Sequence, residues 1–115
     1  MIEETWVSPF VESLREMGDL SAQRQAWIDG DLSNFPTPAE LVCQVFDDSG
    51  LDDALAAGPV FSPEADDLLR QLSTVVESVD VSRHPESWIR DARWMLVTDL
   101  AKRALVEISK RRDFR

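Results

Sequence analysis

Apolar residues recur at three- and four-residue intervals in five stretches of the chain, and nowhere does a convincing strand-like alternation replace that spacing. Ser8 followed by Pro9 predicts an N-cap with proline at the first helical position. Phe10, Val11, Leu14 and Met17 then form one apolar face that Gly18 ends. Asp19 predicts the cap of a second helix over LSAQRQAWID, in which Gln23, Ala26 and Trp27 share a side and Gly30 supplies the break. Thr37-Pro38-Ala39-Glu40 has the form of a capping box opening a third helix, PAELVCQVF. Its Leu41, Val42, Val45 and Phe46 leave Cys43 off the main stripe, as a small filler rather than a reactive thiol.

The next stretch, DDSGLDDALAAGPVF, contains Gly50, Gly58 and Pro59 and reads as mostly irregular around a single helical turn at residues 51–56. Ser62-Pro63 caps a helix whose Ala65, Leu68, Leu69, Leu72, Val75, Val76 and Val79 keep helical spacing, with Asp66 and Asp67 on the polar side. The longest element is predicted to begin near Pro85 and to run about 25 residues without an internal breaker. Trp88, Ile89, Ala92, Leu96 and Leu100 make one stripe on it, and Val97, Ala101, Ala104, Leu105 and Ile108 a second. A surface that wide serves more than one partner helix, which places this element centrally. The architecture predicted is all-α, a compact bundle of four or five helices with a long central C-terminal helix.

Composition narrows the class. At 115 residues, with 43% hydrophobic and 30% charged, the chain has enough apolar material for one core, so residues 1–115 are expected to form a single domain. No apolar run reaches the roughly 18 residues of a membrane span. The opening MIEETWVSPF carries acid where a signal peptide carries base, so a cytoplasmic location is expected. One cysteine and one histidine, Cys43 and His84, are too few for a zinc site built from those residue types alone.

Charge is distributed unevenly. Residues 1–80 hold 17 acids against 3 bases (Arg15, Arg24 and Arg70), a net of −14, whereas residues 81–115 hold 5 acids against 9 bases, a net of +4. The late Lys102, Arg103, Lys110, Arg111 and Arg112 complement the dipole of the last helix and need no ligand. The acidic part repels nucleic acid and anionic lipid and steers a basic partner toward itself, although acidity also serves solubility.

Four features are candidates for chemistry or binding. Asp29, Asp31, Ser33, the Phe35 carbonyl, Thr37 and Glu40 stand at the ligand positions of an EF-hand calcium loop, but Asn34 replaces the turn glycine and Pro36 lacks an N–H at the pairing position. The simpler reading is an interhelical loop whose Thr37 and Glu40 cap the next helix. Asp47, Asp48, Asp52 and Asp53 flank Ser49-Gly50; paired carboxylates can work as acid and base or hold Mg2+, yet no His, Lys or Arg stands near them to support either. His84, before Pro85, fits a turn. Of the four tryptophans, Trp6, Trp27 and Trp88 read as packing anchors, while Trp94 lies between stripes and, if exposed beside acid, would make a binding hot spot.

The segments QRQAWIDGD, FDDSGLDD and PESWIRDARWMLVTDLAKRALVEI together resemble a family of small acidic bacterial helical proteins of uncharacterised function. By class, without a shared motif, the chain also resembles the immunity proteins encoded beside polymorphic or contact-dependent toxins. That resemblance implies a stoichiometric inhibitor that occludes the active site or substrate groove of a toxin, often a basic nuclease. The expectation is a non-enzymatic protein-binding module without cofactor or metal, whose partner is a basic protein and not nucleic acid or membrane. Its contact residues would be Asp29, Asp31, Asp47, Asp48, Asp52 and Asp53, flanked by Asp66 and Asp67. A calcium-binding helical module using residues 29–40 and a small metal-dependent enzyme are the alternatives.

Overall fold

The computed structural model describes residues 4–30, 35–47 and 50–112, with only the backbone described for residues 4–8, 111 and 112. Six α-helices follow in order: α1 (Glu4–Met17), α2 (Leu20–Trp27), α3 (Pro38–Phe46), α4 (Leu51–Ala57), α5 (Pro63–Glu77) and α6 (Ala92–Arg112), with a 3-10 turn at Pro85–Ser87 before the last. Among the described residues there is no strand. Five helices have eight residues or more, and they assemble as the all-α bundle that the spacing predicts.

The predicted caps at three helix starts are present. Asp19 accepts the Ala22 N–H at 3.0 Å, Ser62 Oγ accepts the Ala65 N–H at 3.1 Å, and Thr37 and Glu40 form a reciprocal capping box at 2.9 and 3.2 Å. Three boundaries differ from the expected ones. Helix α1 begins upstream of the Ser8-Pro9 pair and carries Pro9 inside it, so proline's missing N–H is absorbed in the helix body instead of at its start. The 51–56 stretch is the full helix α4, because buried Leu51 and Leu55 pin one face and Gly50, at φ +75°, provides a left-handed entry open to glycine. The last helix starts at Ala92 and not near Pro85: Asp91 Oδ1 accepts the Arg93 N–H at 2.8 Å and caps α6, leaving Trp88 and Ile89 in the preceding turn.

Helix α6 is central. It makes its most extensive pairing with α5 and also packs on α1, which in turn packs on α3. Its buried apolar side is Trp94, Val97, Leu100, Ala101, Ala104 and Ile108, which is the second predicted stripe without the half-buried Leu105 and with Trp94 and, from the first stripe, Leu100 added. Ala92 and Leu96 of the first stripe are exposed, because a helix capped by Asp91 and starting at Ala92 turns those positions outward. The small Ala101 and Ala104 admit close neighbours, and α1 meets α6 tightly at Gly18, where a Cβ would lie 3.0 Å from Lys102 Cγ.

Tryptophans join the elements. Trp94 is fully buried, with its ring 4.6 Å from Trp88 and 6.1 Å from Trp27, so it is an anchor of the core and not an exposed hot spot. Its indole N–H donates to Gln23 Oε1 at 2.8 Å, and Gln23 Nε2 donates to the Glu16 and Met17 carbonyls at the end of α1, at 2.9 and 2.8 Å. Trp27 donates to the Pro36 carbonyl and Trp88 to the Arg83 carbonyl. Each described indole thus buries its ring while satisfying its polar edge.

Candidate functional site

The α3–α4 corner gathers acid. Asp47 caps the C-terminal end of α3, the Gly50 N–H donates back to its carbonyl at 3.1 Å, and the chain then enters α4 with Asp52 and Asp53 in the first turn. Leu51 and Leu55 bury one side of α4 and leave Asp52 and Asp53 on the surface. Glu77, at the end of α5, faces the same corner. Its charge acts on Asp52 together with those of Asp47 and Asp53.

Partial burial pushes the Asp52 carboxyl above the usual aspartate value, and repulsion from Asp47, Glu77 and Asp53 pushes it further, while a hydrogen bond with Ser73 offsets part of the rise. None of the groups acting on it is cationic. The folded protein therefore holds the Asp52 proton more tightly than the unfolded chain does. Ionisation lowers stability, by an amount absent below the unfolded aspartate value and complete above the folded one. Asp52→Asn is accordingly expected to raise the thermal midpoint by about 2 °C near neutral pH and low salt. The gain should shrink at about pH 3 and in concentrated salt. A midpoint unchanged or lowered at neutral pH would contradict this account of the corner.

The other expected contact residues go elsewhere. Asp66 is a correction: at 2% exposure, its Oδ2 accepts the Val60 N–H at 2.8 Å and its Oδ1 the Phe61 N–H at 2.9 Å. Its carboxylate is spent on the turn before α5 and is not offered to a partner. Asp67 is exposed, accepts from Gln71 Nε2 at 2.8 Å, and lines a groove between α5 and α6 with Glu64, Arg103 and Val106. Asp29 is exposed at the end of α2 and lines a separate cleft against the turn around Glu86 and Ile89. Asp31 and Asp48 lie outside the described residues, as does Ser33 of the calcium-loop pattern.

Within that pattern, Thr37 and Glu40 are committed to each other as the capping box of α3, and hydrogen bonding to the Thr37 backbone and side chain holds the Glu40 carboxyl below its usual value. Among the described residues, no three His, Cys, Asp or Glu side chains are placed to hold a metal ion. Cys43 is exposed on α3 and does not fill the core. His84 caps the 3-10 turn, its Nδ1 accepting the Glu86 N–H at 3.2 Å. No helix among the described residues is long and apolar enough to cross a membrane.

Sequence reading missed Glu77, which is 24 residues from Asp53 and joins the corner only through the packing of α4 and α5; nothing in its local sequence marks it. It also missed the cleft at Asp29, although Arg24 is one of only three bases in the first 80 residues. No protein-family model, curated protein or solved structure matches the chain.

Proposed function

We propose that this chain is a protein-binding module whose acidic corner, Asp47, Asp52, Asp53 and Glu77, engages a basic protein. The observation that carries the reading is the crowding at Asp52: the carboxylates of Asp47, Asp53 and Glu77, from three elements, repel that of Asp52, and no cation is among the groups that act on it. Such an arrangement lowers the stability of the isolated protein and is relieved when a partner brings Lys or Arg to it. The finer reading follows the resemblance to immunity proteins. The chain would act as a stoichiometric inhibitor whose carboxylates take the place of phosphates in the groove of a basic toxin, including a nuclease, with charge-assisted hydrogen bonds holding the complex. Asp29 and Asp67 belong to this reading as outlying contacts, and Asp31 and Asp48 remain proposed on sequence alone.

Affinity capture from a lysate of the source cell tests this, with the wild-type chain and an Asp47→Asn, Asp53→Asn, Glu77→Gln variant as parallel baits. The reading predicts one basic protein at near-stoichiometric yield on the wild type, eluted by salt or harsher conditions, and its loss on the variant. Equal recovery on both baits, or only scattered abundant proteins released at low salt, would remove the corner from the function.

A further inference from the structure

The cleft between the end of α2 and the turn before α6 has a volume of about 400 Å³ and a chemistry different from the acidic corner. Ile28 and Ile89 supply its apolar floor, Arg24 and Arg90 its cations, and Asp29 and Glu86 its anions. Ile89 is 2% exposed and belongs to the buried apolar cluster, against which the partly buried Ile28 packs. The floor is therefore continuous with the core. The four charged side chains are different: among the described residues none of them has an ion-pair or hydrogen-bond partner, even though two cations and two anions share one small cleft.

Balanced charge about an apolar floor selects the ligand. A simple anion would meet two carboxylates and the repulsion of a chain carrying net charge −10, whereas a cation would meet two guanidiniums. A zwitterion meets neither objection. The volume stands near the low end of the usual range for small-molecule sites, about 300–1,000 Å³, and suits a ligand no larger than one or two residues. We infer that this cleft binds a small aliphatic zwitterion, a free aliphatic amino acid or a dipeptide, with its carboxylate on Arg24 and Arg90, its ammonium on Asp29 and Glu86, and its side chain on Ile28 and Ile89. Arginine forks suit a carboxylate at such a site. This inference does not depend on the acidic corner or on a protein partner.

Titration of the full chain with L-leucine and with L-leucyl-glycine, followed by tryptophan fluorescence and by amide chemical shifts, tests it. A saturable response in the millimolar range is expected, with shifts at residues 28 and 89; the tighter of the two probes identifies amino acid or dipeptide. Leucinamide, which lacks the carboxylate, and N-acetyl-leucine, which lacks the ammonium, are each expected to bind at least about 10-fold more weakly. Arg24→Gln and Arg90→Gln, both at exposed positions, should weaken L-leucine to a similar degree with unchanged helical circular dichroism. Absence of saturation by both probes, or equal binding of the two blocked analogues, overturns the inference, and the analogue comparison decides it even where a variant fails to fold.

Discussion

Replacement of Trp94 by alanine is expected to cost about 3–5 kcal/mol, a large share of the stability of a domain that has about 5–15 to lose. Trp94 is fully buried, touches two other indoles, and is the hydrogen-bond donor to Gln23, which itself holds the last carbonyls of α1. Truncation removes the ring that α6 contributes to the cluster and strands a buried amide oxygen. The two effects separate in Trp94→Phe, which keeps a ring but leaves Gln23 Oε1 without its donor, for about 1–3 kcal/mol. Urea unfolding followed by circular dichroism measures both. A loss under about 1 kcal/mol for Trp94→Ala would mean that α6 is not held by this cluster.

Charge reversal at the acidic corner is the largest expected effect on binding. Asp47→Lys combined with Asp53→Lys is expected to slow association with the basic partner by about 10- to 100-fold at low salt, because a steering field that attracts becomes one that repels. Both residues are exposed, so the helical signal should stay unchanged; a lysine in the first turn of α4 disturbs the helix dipole by about 0.3–1 kcal/mol. Surface plasmon resonance with immobilised partner gives the rate. An association rate equal to that of the wild type would take Asp47 and Asp53 out of the interface.

Much of the bundle was legible in the sequence because its signals are local. The Ser62-Pro63 start of α5, the Thr37–Glu40 box and the Gln23–Ala26–Trp27 side of α2 each depend on residues within one or two helical turns, and each stands where the spacing puts it. The failures came where one local signal competed with another. Asp91 suits both an early helical acid and a cap, and capping prevails, which separates Trp88 and Ile89 from α6 and turns Leu96 outward. Ser8-Pro9 has the sequence of a helix start, yet the backbone is already helical before it. At the candidate site, the sequence marked Asp47, Asp52 and Asp53 by their density but could not show that Glu77 joins them. Nor could it show that Asp66, spaced like a surface acid on α5, turns inward to the Val60 and Phe61 amides. Tertiary packing decides both.

The measurement that bears most directly on the acidic corner is the association rate of the wild-type chain with its captured basic partner as a function of ionic strength. The account predicts a rate that falls steeply as salt rises, and a much flatter dependence for the Asp47→Asn, Asp53→Asn, Glu77→Gln variant, the two lines converging at high salt where the charges are screened. Parallel lines for the two proteins, or a wild-type rate indifferent to salt, would contradict it.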